Sequence, residues 1–577
     1  MYKGPNNYLQ EDVKRMSDEN KTREETAASL ETAPAPRKAP TKLIIGLAIL
    51  FVLIGAAVTF GYVFMKSPKQ LYLISEVNTY NKMAEEIETK YGESLAFQEK
   101  ALEQPSSSAA SISGDFSMNS LAADPSYQMI QDMISKSTIN VKTEQDPKKQ
   151  ETYGSLTLDI GNTKALDVEG YQTKEQIGFK APILANQFFY LNLDEYGQVM
   201  RMFDPSYTGP DKLELNQIKV EDLELTEKEK KAIATKYGKF FYDNLDEDYF
   251  TKEKNAEYKQ GDETLKFTRL KLEMNQEQTE KFVQKLVAEM AKDDELQTII
   301  AKRVATIAES SAATDPEMAE LTDEKEVKKQ LKEGLDEFKT DVKDLKFPKG
   351  FKSTVYINDD EVIVDRNVEF AATSADDKDN VGNVKVATKD VEYADNKRAQ
   401  QLALTIGNDN NDSKVELDVT NDITADGEKS SEKLVASVNA SDSTTEDLNL
   451  KFTMDSVVNG KTDAKQTADR KFTLDLGDQA PGYTFSGDLK QNQNIDASKG
   501  KSDYKFDINL KVGMPTDSAD INLKINSNSE LKDAADIPAV DSKNGKNVKD
   551  ITPVDLMKIQ EDFYTNLQGL MMDLDIS

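Results

Sequence analysis

The chain has 577 residues and a formal charge of −31, from 104 Asp and Glu against 73 Lys and Arg, and it contains no Cys, His or Trp. Those absences exclude a Ser-His-Asp triad, imidazole and thiolate metal ligands, disulfides and Cys-ligated iron–sulfur clusters. The acidic balance argues against nucleic acid as partner and against a folded domain lying flat on an anionic membrane, because both surfaces attract clustered Lys and Arg.

Residues 1–42 mix charges of both signs with an APAPRKAP stretch and few large apolar side chains. Such a segment buries too little surface to offset its ordering entropy, and it reads as a disordered cytoplasmic tail. Leu43–Met65 is a run of 23 residues without a charge. As a helix it would be about 35 Å long, enough to cross a hydrocarbon core of about 30 Å. It is predicted as a transmembrane helix and so as the contact with the lipid bilayer. Arg37, Lys38 and Lys42 before it, against Lys66 and Lys69 after it, place the N-terminus in the cytoplasm and the C-terminal domain outside.

Residues 66–114 read as a helical stalk followed by a Ser-rich hinge. Leu71, Ile74, Tyr80, Met83, Ile87, Tyr91 and Leu95 recur at helical spacing, and Pro105–Gly114 (PSSSAASISG) reads as loop. Residues 115–345 form an α+β module. Alternation over 137–194 predicts an antiparallel meander, with turns at Gly161-Asn162 and Glu169-Gly170. Thr226 and Glu229 make a capping box for a helix over 226–247. A strand or two near Leu265–Met274, a long helix through Phe282 to Ile307 and a helix over 326–345 follow.

Residues 346–577 form an antiparallel meander with a C-terminal helix. Seven apolar sets alternate with Lys, Asp, Thr and Asn, among them Val415/Leu417/Val419, Leu448/Leu450/Phe452/Met454, Phe472/Leu474/Leu476 and Phe506/Ile508/Leu510. A slip of one residue would invert every strand, so the register is strongly specified. The last segment, 553–574, is an amphipathic helix expected to dock onto the domain rather than onto lipid.

The fold expectation is therefore α+β: one transmembrane helix, then large curved antiparallel sheet packed against amphipathic helices. Four helices side by side could cover roughly 40 Å of sheet width. The apolar face needs a cover, because exposed patches above a few hundred Å² are rare. Leu450, Phe452, Phe472, Leu474, Phe485, Phe506, Ile508 and Leu510 are the candidate residues if that cover is an apolar ligand.

The strand–helix–strand plan of about 120–530 resembles extracytoplasmic lipid-binding domains of the LolA and mycobacterial lipoprotein type. It departs from them in having no lipobox Cys. The tail, the single anchor, the KSPKQLYLISE exit at 66–76 and the Asp/Lys/Asn-rich β domain resemble uncharacterised single-pass membrane proteins of Gram-positive bacteria. The Gram-positive resemblance implies no established activity, and the chain reads as a non-enzymatic binding or structural protein of the cell envelope, with a lipid or an envelope protein as partner. A lipid or lipoprotein carrier is the alternative, and a carboxylate-dependent hydrolase a third reading.

No cofactor is expected. Gly460-Lys461-Thr462 and Gly500-Lys501-Ser502 end like phosphate loops, but Asp455 and Ile495 stand where the upstream Gly belongs, so both read as turns. Asp376–Asp379 and Asn408–Asp412 lack the glycine and glutamate spacing of a calcium loop and read the same way.

Overall fold

A computed structural model describes residues 66–574, apart from 214–222, 312–317, 319–320, 375–376, 395, 409–412 and 443–444. The predicted tail and the predicted span Leu43–Met65 lie outside the described residues. Among those described, no helix is long and apolar enough to cross a membrane.

The chain opens with helix α1 (Pro68–Glu103), started by a capping box between Ser67 and Gln70. Strand β1 (Ser106–Met118), helix α2 (Pro125–Ser135) and strands β2 (Ser137–Asp146), β3 (Glu151–Ile160), β4 (Thr163–Gln172), β5 (Gln176–Lys180) and β6 (Phe188–Asn192) come next. Helices α3 (Tyr196–Phe203) and α4 (Glu227–Asn244) precede strands β7 (Phe250–Gln260) and β8 (Glu263–Met274). Three helices follow: α5 (Gln276–Met290), α6 (Asp294–Ser311) and α7 (Glu324–Asp341).

The remaining strands run nearly without interruption: β9 (Leu345–Lys346), β10 (Phe351–Ile357), β11 (Ile363–Ser374), β12 (Asp377–Tyr393), β13 (Lys397–Asn408) and β14 (Lys414–Asp426). After them come β15 (Lys429–Asp442), β16 (Thr445–Asn459), β17 (Lys465–Asp475), β18 (Thr484–Asp496), β19 (Lys501–Met514) and β20 (Asp517–Leu531). A short β21 (Gly545–Asn547) and helix α8 (Pro553–Asp573) end the described chain.

The 21 strands among the described residues belong to one sheet. From β7 the ladder passes through β8 and β10 to β11, and then strand by strand to β20. There β20 pairs with β1, and the ladder continues through β2 to β6. β9 extends the edge of β11 beyond β10. Every pairing is antiparallel except β6 with β21. Among the described residues no pairing joins β7 to β6 or β21, so no described ladder closes the sheet. Hairpin connections between consecutive strands account for the antiparallel order.

The junction at β1 corrects the sequence reading. The segment read as a loop, Pro105–Gly114, supplies most of a central strand. Ser106–Ser113 pair with β2 on one side and Ser106–Met118 pair with β20 on the other. Two neighbouring ladders satisfy its backbone, and Ser108 and Ser529 hydroxyls meet at 2.8 Å. Glu169-Gly170, read as a turn, lies inside β4, whereas Gly161 does turn the chain, with φ +61°. The helix expected through Ile307 breaks at residues 291–293, where the Asp293 carboxylate accepts the amide of Leu296 at 3.1 Å and the Tyr237 hydroxyl at 2.9 Å.

The fold expectation is corrected as well. Helices α5 to α8 do not lie across the sheet; α1 runs along its end, and α2 packs on β1, Tyr127 against Phe116. α5, α6 and α7 pack on one another and against β8 and β9, burying Leu270, Leu272, Met274, Phe282 and Leu286. α8 sits beside β4, where Asn566 donates to the carbonyls of Pro182 and Ile183 at 3.2 Å, and none of its residues is buried. The physical reason is connectivity. These helices follow or precede strands at the flanks, and their short connections keep them there.

Glu144 locks the β1–β2–β20 junction. Its side chain is wholly buried and accepts from Lys532 and Ser107, each at 2.9 Å, from the amide of Asp536 at 3.3 Å, and from Lys142 at 3.0 Å. Burial works to raise the carboxyl pKa, but these donors together outweigh it and bring it down from 4.5 to about 2. The contribution to stability is thus present above pH 4.5 and drains away as the pH falls from there towards 2. Glu144→Gln is expected to remove up to about 3 kcal/mol at pH 7 and much less at pH 3. Urea midpoints of both proteins at the two pH values check this; equal losses at pH 7 and pH 3 would contradict it.

Candidate functional site: an uncovered apolar face and a cavity at its end

Residues opposed in an antiparallel ladder point to the same face. Val386 faces Leu404, which faces Leu417, then Val438 and Leu450. Phe452 faces Leu474, which faces Phe485, then Val512. Phe506 faces Ile525, then Ile112, Ile139, Leu158 and Leu166. One apolar face thus runs from β12 to β20 and on through β1 to β4.

All eight predicted residues lie on it, on the neighbouring strands β16–β19. Leu450, Phe452, Phe472, Leu474, Phe485, Phe506, Ile508 and Leu510 are half-buried. Phe452 and Phe472 stack with centroids 6.2 Å apart. Further out, Leu402 is 46% exposed and Val415 48%, and Ile406, Ile139 and Leu156 are also exposed. Thirteen strands at ~4.8 Å spacing give a width of roughly 58 Å; an apolar band about 15 Å tall then covers on the order of 900 Å². That exceeds the patches monomers usually present to water.

At one end of this face the turns between strand pairs meet α1. Lys66 pairs with Glu361 in the β10–β11 turn, Arg398 of β13 with Glu86 at 2.8 Å, and Lys100 donates to the carbonyl of Ala497 at 2.8 Å. Midway, α1 breaks at Tyr91, whose φ of −122° and ψ of 15° are non-helical. The β16–β17 turn enters the break. The Asp463 carboxylate accepts the amides of Glu93 at 3.2 Å and Ser94 at 2.8 Å, and its own amide donates to the Lys90 carbonyl at 3.0 Å. Asp463 therefore caps the second half of the helix as an N-cap residue would. The glycine of Gly460-Lys461-Thr462 sits at φ +109° in this turn and Gly500 at +64° in the β18–β19 turn, so neither triplet opens a helix.

Beside the break lies a cavity of about 780 Å³, between α1 and the ends of β12–β18. Ile423, Met454, Val458 and Tyr91 are among its apolar lining; six cationic and four acidic side chains also line it. Arg398 is tied to Asp390 and Glu86. Arg470 differs. Its guanidinium donates to the Gln491 side-chain oxygen at 2.8 Å, Gln491 donates on to Gln493, and Gln493 to the Asp463 carbonyl at 2.9 Å. Among the described residues Arg470 has no carboxylate partner. Opposite it on β16 is Ser456, 4% exposed, whose hydroxyl has no hydrogen-bond partner.

Sequence reasoning passed over Arg470, Ser456 and Asp463. The available signal was an interruption of period two. Ala468, Arg470, Phe472 and Leu474 share a face, as do Phe452, Met454, Ser456 and Val458, and the polar members are direct partners. Among the described residues no group of three acidic side chains is placed to hold a metal ion. Of the Asp376–Asp379 and Asn408–Asp412 runs, Asp377–Asp379 begin β12 and Asn408 ends β13; the other residues lie outside the described ones.

No family model matches the sequence, and no curated protein matches it. Among solved structures, a BenF-like porin from Pseudomonas fluorescens Pf-5 is 7% identical, with 74% of this chain and 98% of that chain covered and a TM-score of 0.25. Pseudomonas aeruginosa OpdQ is also 7% identical, with 74% and 97% covered and a TM-score of 0.23. The monoaromatic hydrocarbon channel CymD is 6% identical, with 75% and 89% covered and a TM-score of 0.19. Overlap this poor carries no argument about function. The solved structures found are nonetheless β-rich porins and channels, not single-pass or LolA-like proteins. None of the relatives the sequence suggested is among them, so the expected resemblance is withdrawn, and with it the reading built on it as a single-pass envelope protein of binding, structural or carrier type, N-terminus inside and domain outside. The expected contact with a bilayer through Leu43–Met65 falls on a segment outside the described residues.

Proposed function

We propose that this is a non-enzymatic protein that meets a membrane's hydrocarbon through its sheet face. The observation that carries this reading is the apolar face from β12 to β4, whose long side chains remain half-buried or exposed while α5 to α8 stand at the flanks and α2 meets it at Phe116 of β1. Water disfavours such a face, and a hydrocarbon surface is a cover that needs no specific complementarity. The face of β16–β19, with Leu450, Phe452, Phe472, Leu474, Phe485, Phe506, Ile508 and Leu510, is its broadest aromatic part. The opposite face is polar, with Lys451, Asp469, Lys471 and Asp507 exposed. Open sheet edges cannot stand in hydrocarbon, so the sheet lies against the bilayer rather than crossing it. The net charge of −31 favours a zwitterionic over an anionic surface.

A chain of residues 66–577 retains every described contact and lacks the apolar run before it. It is expected to float with phosphatidylcholine vesicles and to float less with phosphatidylglycerol. Leu402→Asp, Leu404→Asp and Ile406→Asp together should abolish flotation, at a cost of several-fold in vesicle affinity per buried charge. A wild-type chain left unbound, or a triple variant that floats as well, would overturn the reading.

A further inference from the structure

We propose that the cavity beside the α1 break binds an organic carboxylate with an apolar body, its acidic group held by Arg470 and Ser456. Three observations meet there. Among the described residues Arg470 is the cation on its row without an acid: Arg398, four strands along the same row, is held by two carboxylates, whereas Arg470 is bonded to a neutral Gln491 oxygen at 2.8 Å. Ser456, directly opposite Arg470, is 4% exposed with an unpartnered hydroxyl, and a buried hydroxyl without a partner is costly. Both stand on the apolar face: Arg470 lines the cavity, and Ser456 lies at its floor, flanked by the lining residues Met454, Val458, Glu432 and Arg470.

A carboxylate placed between them accepts two bonds from the guanidinium and one from the hydroxyl, which is the donor geometry that suits this anion. The chain of Arg470, Gln491, Gln493 and Asp463 holds the guanidinium in place and links it to the turn that caps α1. Glu432 is on the far side of Ser456 in the same row, its carboxylate accepting from Ser430 at 3.1 Å. It disfavours a second negative group, so the site suits a monocarboxylate. The apolar lining and the volume of about 780 Å³ ask for an aliphatic or aromatic body behind the acid.

The inference does not rest on the membrane reading, and its test uses no vesicles. The full chain is titrated by calorimetry with 4-phenylbutyrate, 4-phenylbutanol and acetate. The acid is expected to bind about tenfold or more tightly than the alcohol, the difference that charge-assisted bonds supply. Acetate, without the body, should bind far more weakly than either. Arg470→Gln should erase the preference for the acid, Arg470→Lys should keep most of it, and Ser456→Ala should cut it about threefold. Equal affinity for acid and alcohol in the wild-type chain overturns the proposal, as does acetate binding as tightly as phenylbutyrate or an unchanged preference in Arg470→Gln. Should Arg470→Gln lose its far-UV circular dichroism, the wild-type comparison of the three probes decides alone.

Discussion

Glu76→Gln is expected to destabilise the chain by about 3–5 kcal/mol, the cost of leaving a buried cation unpaired. Glu76 is 6% exposed on α1, and it accepts from the Arg366 guanidinium of β11. Burial alone would push the Arg366 cation towards its neutral form, but Glu76 and the Tyr72 hydroxyl nearby hold it charged. Tyr72 is itself buried, with its hydroxyl 2.6 Å from the Ser353 oxygen of β10. Burial, reinforced by the Glu76 charge, raises its pKa. The pair is therefore where the N-terminal turns of α1 are fastened to the sheet. Two of its polar atoms, Glu76 Oε1 and Arg366 Nε, have no hydrogen-bond partner, so the pair is not fully satisfied. Replacing both members, as Glu76→Leu with Arg366→Met, should for that reason fall within about 1–2 kcal/mol of wild type. Urea unfolding followed by far-UV circular dichroism measures all three proteins. A single variant as stable as wild type, or a double variant as damaged as the single, would show that the pair does not fasten the helix.

Gly114→Val is the second large effect expected, roughly 3 kcal/mol, from overpacking together with lost ladder bonds. A Cβ at Gly114 would stand 2.1 Å from the Asn522 carbonyl oxygen and 2.9 Å from Leu523 Cδ2. The first of these is backbone and cannot swing aside. Relief requires β1 and β20 to separate locally, and that seam is where the strands before α3 join those after α7. Hydrogen exchange should therefore rise at amides of β1 and β20 and stay unchanged in β13–β15. Gly154→Val is the matched control, because a Cβ there comes no closer than 3.8 Å to its nearest neighbour, the Lys142 carbonyl oxygen. Equal stability losses in the two variants would mean that the close approach at Gly114 is not what the seam depends on.

Strand positions were legible wherever apolar and polar residues alternate over several steps. Val415 to Val419, Leu448 to Met454 and Phe506 to Leu510 lie in β14, β16 and β19 as their period indicates, and Leu476 falls just outside β17. β1 was not legible. Its Ser and Ala side chains carry no period, and what makes it a strand is the pair of ladders on either side of it, which are tertiary facts. The charged β7 was missed for a related reason: Glu253, Asn255 and Glu257 face solvent at a sheet edge, and only Phe250 and Ala256 are buried.

The cover of the apolar face was misjudged for a physical reason of another kind. Amphipathic helices announce that they will bury a stripe, not which surface they will bury it against. α5 spends Phe282, Leu286 and Met290 on the β8–β9 end, and α8 leaves Leu556, Met557 and Met571 exposed. Of the candidate site, the eight apolar residues were readable because they repeat. Arg470 and Ser456 were not, because each is a single break in a repeat and their meaning lies in being opposite one another.

The absence of Trp from the chain permits one direct measurement. Phe452→Trp places a single indole on the apolar face, and Lys451→Trp places one on the polar face of the same strand. The full chain of each is mixed with phosphatidylcholine vesicles carrying bromine in their acyl chains. The Phe452→Trp emission should be strongly quenched and shifted to the blue, and the Lys451→Trp emission should be nearly unchanged. Quenching that is equal at the two positions, or absent from Phe452→Trp, would contradict the account that this sheet meets hydrocarbon with one face.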